Sequence, residues 1–205
     1  MKKKTTVTAM ALPILLAILF CFLPTRTGDV ILRLHFWEVH ESVQKDGCVL
    51  FYTTKDNDTF TAENCVEGYL NETEHRVEFR LDSSLKGQIT GIRIDLPAAE
   101  QTLVVDDVSV LSGGVVKKNY NPVDFFADEM IKAQNDITAI ERIDFQSRAY
   151  LVTTGADPYI VLMDGLAEEI ASQYTNYTGT RICLAVFLMA CCLFAAFPIV
   201  KEHTI

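Results

Sequence analysis

The fold is set by the stretch VILRLHFWEV, from Val30 to Val39. Apolar and polar residues alternate along it, which is the pattern of a β-strand that buries one face. The same period of two recurs in HRVEFRL (75–81) and in GIRIDL (91–96). Short strands of this kind, separated by polar turns, predict a mainly β fold built as an antiparallel, jelly-roll-like β-sandwich.

Further strand-like runs lie on either side of the last of these. CVLFYTT (48–54) is rich in strand-forming residues, and TLVVDDVSVL (102–111) contains two short runs around Asp106-Asp107. Gly113-Gly114 marks a turn. We therefore assign residues 27–120 to the sandwich.

The pattern changes after Asn121-Pro122. Asp124 predicts the cap of a helix over Phe125 to Gln134, and Gly165 to Ser172 predicts a second short helix. AYLVTT (149–154) and YIVLM (159–163) between them resemble strands. Residues 121–180 are thus predicted to form an appendix of helix and short β structure.

Both ends of the chain are apolar. Residues 182–200 are uncharged and match the thickness of a bilayer core, so they predict a transmembrane helix. Residues 8–24 follow Lys2-Lys3-Lys4 and predict either a second transmembrane helix or a cleaved signal peptide. With the first segment retained, the lysines place residues 1–7 and 201–205 in the cytoplasm and the middle of the chain outside it, as a two-pass protein of the cell membrane.

The middle segment is strongly acidic. Residues 26–180 hold 13 basic and 26 acidic side chains, a net charge of −13. Such a domain repels nucleic acid, which we exclude as a partner, but it accepts neutral glycans, cations or a basic partner. The alternative is that the charge serves solubility alone.

Several segments in order resemble a known module. They are LFYTT (50–54), FTAENCV (60–66), IRIDLP (92–97), LVVDDVSV (103–110) and TGADPYI (154–160). Together they are similar to the extracytoplasmic β-sandwich of bacterial multi-span membrane proteins of cell-surface polysaccharide synthesis, of the glycosyltransferase C-like kind. The chain lacks the multi-span catalytic part of those proteins, so the resemblance implies the module and its cellular context, and not the enzymatic activity.

Cys48 and Cys65 are the cysteines of the middle segment. They flank candidate strands, and an extracytoplasmic location permits a disulfide between them.

Carbohydrate recognition requires aromatic faces beside polar groups. Trp37, Tyr52, Tyr69, Tyr120 and Tyr159 supply candidate rings, and Asp157 adds a carboxylate close to one of them. For Trp37, a place in the core is the favoured alternative because it lies in an alternating strand. Tyr120 and Tyr159 adjoin turns and are expected to be more exposed.

A structural Ca²⁺ site is a secondary hypothesis. Asp56, Asp58 and Glu63 cluster in one turn region, although solvated turn residues are the favoured alternative. No other cofactor is indicated. Catalytic residues are not assigned, because Asp106 and Asp107 are neighbours on a predicted strand and should point to opposite faces.

These features predict a non-catalytic, membrane-anchored accessory protein that binds a glycan or a membrane enzyme in envelope polysaccharide assembly. The alternatives are a structural subunit of a membrane complex and an exported hydrolase.

Overall fold

The structure is a computed structural model that describes residues 27–39, 41–176, 182–187 and 190. The chain divides into two compact units. One is Gly28–Thr175, and the other combines the terminal segments Met1–Thr27 and Asn176–Ile205.

The Gly28–Thr175 unit is built mainly of strands. In chain order the elements are β1 (Thr27–Gly28), β2 (Val30–Phe36), α1 (Glu41–Asp46), β3 (Val49–Thr54), β4 (Cys65–Glu67), β5 (Tyr69–Asn71), β6 (Arg76–Leu81), β7 (Ile89–Asp95), β8 (Gln101–Ser112), β9 (Val115–Tyr120), α2 (Pro122–Phe125), β10 (Ile131–Asn135), β11 (Ile137–Ile143), β12 (Arg148–Thr153), β13 (Tyr159–Leu162), α3 (Asp164–Ser172) and β14 (Thr175–Asn176). Single 3-10 turns lie at Ser83–Leu85, Asp128–Met130 and Asp144–Gln146.

The strands form two antiparallel sheets. The smaller sheet has the order β10-β13-β7-β3-β4 and the larger sheet the order β11-β12-β8-β2-β6-β5, with β9 also paired to β8. A separate short pair joins β1 to β14. This confirms the predicted mainly β class, and the two sheets are consistent with a β-sandwich.

The core lies on the inward faces of both sheets. In β2 every second residue is buried, from Val30 to Phe36, and in β6 Val77, Phe79 and Leu81 are buried. Leu50 of β3 and residues of β7 belong to the same buried cluster. Burying one such side chain stabilises the fold by about 1.5–3 kcal/mol. The alternation read from Val30 onward therefore predicts the buried face correctly.

Strands from both sides of residue 120 share these sheets. β12 lies between β11 and β8 in the larger sheet, and β13 lies between β10 and β7 in the smaller one. Helix α3 follows β13 at nearly the predicted position and buries Leu166 and Ile170 against the core.

The helix predicted from Phe125 to Gln134 is wrong. Helix α2 ends at Phe125, and Ile131–Asn135 is strand β10. The cap is Asn121 rather than Asp124, since the Asn121 side chain accepts a hydrogen bond from the Val123 backbone. Pairing of β10 with β13 supplies a sheet ladder that outweighs the weak helical pattern.

The two points where the chain enters and leaves this unit lie beside each other. The buried Ser112 hydroxyl donates to the Gly28 carbonyl at 3.3 Å and accepts from the Thr175 backbone N–H at 2.8 Å. Ser112 is also where β8 turns back into β9 through Gly113 and Gly114, which both have positive φ, as a tight hairpin turn requires.

In the unit of terminal segments, residues 182–187 are helical. Ile182, Leu184, Val186 and Phe187 are exposed there, and Ala185 is buried. None of the helices in the described part of the chain combines the length and the apolar content that a bilayer crossing requires. The predicted segment 8–24, most of 182–200, and the predicted cytoplasmic ends 1–7 and 201–205 lie outside the described residues.

Candidate functional site

A polar cleft of about 530 Å³ opens on the outward face of the larger sheet. We call it the bulge cleft, and it is lined by Arg33, His35, Glu74, Arg76, Asp106 and Asp107. Arg33 and His35 reach it because they alternate with the buried residues of β2, while Arg76 begins β6 and Glu74 precedes it. Strand alternation thus places polar side chains from neighbouring strands on one surface.

A β-bulge in β8 brings both aspartates into this cleft. Leu34 pairs with Val108 and His35 with Asp107, but Phe36 pairs with Val105, so Asp106 is an extra residue in the strand. The expectation that Asp106 and Asp107 face opposite sides is therefore wrong: both line the cleft. A bulge re-aims side chains in this way, and bulges are frequent beside functional sites.

The side chains of His35 and Asp106 contact each other in the cleft. The His35 Nδ1 and Asp106 Oδ1 atoms are 2.5 Å apart, and both side chains are partly exposed. The carboxylate fixes the orientation of the imidazole ring, which leaves its far edge directed away from Asp106.

The two arginines of the cleft are held by glutamates. Arg33 Nη2 lies 2.7 Å from Glu78 Oε1, and Arg76 forms an ion pair with Glu74. By contrast, no hydrogen-bond or ion-pair partner of the Asp107 carboxylate is found among the described residues. The cleft therefore offers one free acceptor within a set of positioned charged groups.

Trp37 lies two residues beyond His35 of the cleft, and its exposure corrects the expectation of a core position. It is 55% exposed, and the Arg148 guanidinium carbon lies 3.5 Å from the centroid of its ring. The buried residues of β2 are the even-numbered ones, so Trp37 follows the outward phase of Arg33 and His35. Contact with Arg148 stabilises the ring as an exposed flat surface.

Tyr159 and Asp157 meet on the smaller sheet, around Arg93. The Arg93 guanidinium carbon lies 3.9 Å from the Tyr159 ring centroid, and Arg93 donates two hydrogen bonds of 2.6 Å to Asp95. An Asp157 oxygen lies 3.5 Å away from Arg93. Burial raises the pKa of Asp95, and the Arg93 hydrogen bonds oppose that shift. This cluster links β7 to β13 and is largely satisfied internally.

Tyr120 and Tyr52 occupy separate structural positions. The Tyr120 hydroxyl donates to Glu169 at 3.1 Å, its ring contacts Phe125 edge-on, and burial raises its pKa above the usual value. Tyr52 is partly buried and packs against the core. The structure therefore does not gather the predicted ligand-binding residues into one site.

The predicted calcium ligands do not converge either. Asp56, Asp58 and Glu63 are exposed, and the part of the chain described contains no group of three or more His, Cys, Asp or Glu side chains arranged to hold a metal ion. Instead, the Asn57 side chain between them accepts hydrogen bonds from the Thr59 N–H and hydroxyl, as in a turn.

Cys48 and Cys65 are free thiols, so the predicted disulfide is not formed. Cys65 pairs with Phe51, whereas the Cys48 carbonyl accepts a hydrogen bond from the Gly68 backbone N–H. The two cysteines are therefore offset by three residues along the paired strands. That offset corresponds to about 10 Å along the strands, too far for a disulfide. Burial raises the pKa of the Cys48 thiol to about 12.

Sequence reasoning missed the bulge cleft, although a signal for it exists. The apolar residues that β8 buries include Leu103, Val105, Val108 and Val110, and the step from 105 to 108 is three residues long instead of two. A single step of this length inside an alternating strand indicates a bulge.

Comparisons of the chain with protein-family models, with curated proteins and with solved structures give no match.

Proposed function

We propose that this chain is a non-catalytic, membrane-anchored accessory protein that binds a glycan at the bulge cleft. The observation that carries the proposal is the exposed Trp37 ring, which is held by Arg148 and lies two residues beyond His35 of a cleft lined by positioned charged groups. Sugars present C–H faces that stack on aromatic rings and hydroxyl groups that both donate and accept hydrogen bonds. Trp37 serves the first requirement and the cleft serves the second.

The charged groups of the cleft are held in place by their partners. His35 is bonded to Asp106, and Arg33 and Arg76 are bonded to glutamates. Groups paired in this manner are rigid hydrogen-bonding partners for a ligand. Asp107 remains as the acceptor for a ligand hydroxyl.

We propose that residues 8–24 and 182–200 act as membrane helices and that the domain between them lies on the extracytoplasmic side. The proposed role in envelope polysaccharide assembly rests on the sequence resemblance. The proposed jelly-roll-like fold is supported by the way the chain passes back and forth between the two sheets.

The test uses the full chain in a detergent without a sugar headgroup, applied to an array of neutral hexose and N-acetylhexosamine oligosaccharides of one to six residues. We expect binding to at least one class, followed by calorimetry of that class. Trp37→Ala should weaken binding about tenfold or more, because it removes the stacking surface.

Deletion of Asp106 provides the sharper variant. It restores regular alternation in β8, so the fold should persist while the His35 contact is lost and binding falls. Val115→Ala, at an exposed site in the β8–β9 hairpin, is the control and should bind normally. If no oligosaccharide on the array bound and a membrane protein co-purified with the chain, the proposal would be replaced by the structural-subunit interpretation.

A further inference from the structure

A second cleft adjoins the first on the same face of the larger sheet. It has a volume of about 380 Å³ and is lined by Ile31, Tyr69, Glu78 and Arg80, which we call the Tyr69 cleft. Glu78 accepts a hydrogen bond from Arg33 at 2.9 Å, so one ion pair forms the boundary between the two clefts. Register places Ile31 opposite Arg80 and Arg33 opposite Glu78 on β2 and β6. The clefts are therefore consecutive parts of one surface.

An exposed aromatic ring marks each end of this surface. Tyr69 is 70% exposed and pairs with Glu78, which in turn pairs with Arg33. Tyr69 thus lies two strands away from Arg33, and Trp37 lies four residues beyond Arg33, just past the end of β2. Standard strand spacing and rise place the two residues about 16 Å apart, which is longer than a disaccharide.

The charges along this surface nearly cancel. Two ion pairs lie on it, Arg33 with Glu78 and Arg76 with Glu74. In all, the lining holds three arginines and four carboxylates: Arg33, Arg76, Arg80, Glu74, Glu78, Asp106 and Asp107. The surrounding segment 26–180 carries a net charge of −13. A surface that is close to neutral in such a domain, and rich in donors and acceptors, is complementary to an uncharged hydroxyl-bearing chain.

We propose that the two clefts form one groove for a linear, uncharged oligosaccharide of at least three residues, with Trp37 and Tyr69 stacking on sugar rings at its two ends. This inference rests on the proposed function and specifies its ligand class. The ligand is the interior or end of a chain and not a single sugar. The Arg33–Glu78 pair contacts the middle of the bound chain.

The test is the dependence of affinity on chain length. The full chain in the same sugar-free detergent is titrated calorimetrically with oligosaccharides of one to six residues from the class that the array selects. Affinity should rise at least tenfold between the disaccharide and the tetrasaccharide and then level off, because the second ring is reached only by the longer chains.

Tyr69→Ala separates the two ends of the groove. It should lower the affinity for the tetrasaccharide about tenfold and leave the disaccharide bound at Trp37 almost unaffected. Because Tyr69 is largely exposed, the variant should fold normally, which circular dichroism checks, and Val115→Ala serves again as the control.

The outcomes are distinguishable. Equal affinity for all lengths, or an equal loss for all lengths in Tyr69→Ala, would overturn the groove and leave glycan binding at the bulge cleft intact. No binding at any length would overturn the proposed function together with this inference.

Discussion

Cys48 and Cys65 differ in their surroundings although both are free thiols. Cys48 is 2% exposed and its pKa is raised by burial, whereas Cys65 is half-buried with its sulfur 3.3 Å from the Ala62 carbonyl oxygen. A buried thiol with a raised pKa supplies almost no thiolate at neutral pH, and thiolate is the reactive form.

We therefore expect alkylation of the folded full chain at pH 7.5 to modify Cys65 well before Cys48. Peptide mass spectrometry after a short exposure to N-ethylmaleimide measures this, and unfolding in denaturant should make both cysteines reactive. If neither residue reacted even after unfolding unless a reductant was added, the two would be joined as the sequence predicted.

Trp37 shows what residue-level reasoning can and cannot supply. The period of two in β2 contained the information that Trp37 points outward with Arg33 and His35. Its place in an alternating strand was nevertheless interpreted as favouring the core. Arg148, 111 positions away in the sequence, contributes the contact that stabilises the exposed ring. Contacts of that separation are set by strand order, which the local pattern does not contain.

At the scale of elements, the alternation of apolar and polar residues predicted most strands. It failed where pairing with a distant strand determines the backbone conformation. The strands at Val30, Val49, Arg76 and Tyr159 follow the sequence pattern closely. Strand β10 was missed because its conformation comes from pairing with β13. The bulge cleft was missed for the related reason that Asp106 was treated as one more residue of a regular strand, although the spacing of the buried residues shows the extra one.

The contact between β9 and α3 carries a pH dependence. Glu169 accepts hydrogen bonds from Lys118 and from the Tyr120 hydroxyl, and the Lys118 hydrogen bond lowers the pKa of Glu169. A carboxyl group whose pKa is lowered on folding stabilises the folded state above its unfolded pKa of about 4.5, and this contribution is lost as the pH falls through the lower folded value.

Glu169→Gln should therefore lower the free energy of unfolding at pH 7 by less than about 1 kcal/mol, since the ion pair is partly exposed. The difference from the parent chain should shrink below pH 4 and disappear near pH 2, about where the carboxyl is protonated in both states. Denaturant unfolding of the full chain, followed by circular dichroism, measures it. Glu168→Gln is the matched exposed control, and a pH-independent loss in Glu169→Gln would mean that packing rather than charge is responsible.

At the scale of the whole molecule, the proposed two-pass topology makes a labelling prediction. In intact cells, a membrane-impermeant maleimide should label Thr138→Cys, an exposed position on β11, above the background of the parent chain. Lys3→Cys should be labelled only after the cells are lysed, because the positive-inside rule places it in the cytoplasm.

Labelling of Lys3→Cys in intact cells, with Thr138→Cys protected, would show the opposite orientation. Loss of the Lys3→Cys peptide from the mature chain would instead show that residues 8–24 are removed as a signal peptide. Either result is read directly by mass spectrometry of the labelled protein.

The Ser112 hydroxyl bonds the first and last backbone groups of the Gly28–Thr175 unit to one another. A unit with adjacent ends can be inserted into a short loop of another protein without forcing the flanking segments apart. Moving this unit from one protein to another through a single insertion site therefore requires only a small structural change. It would carry the groove with it.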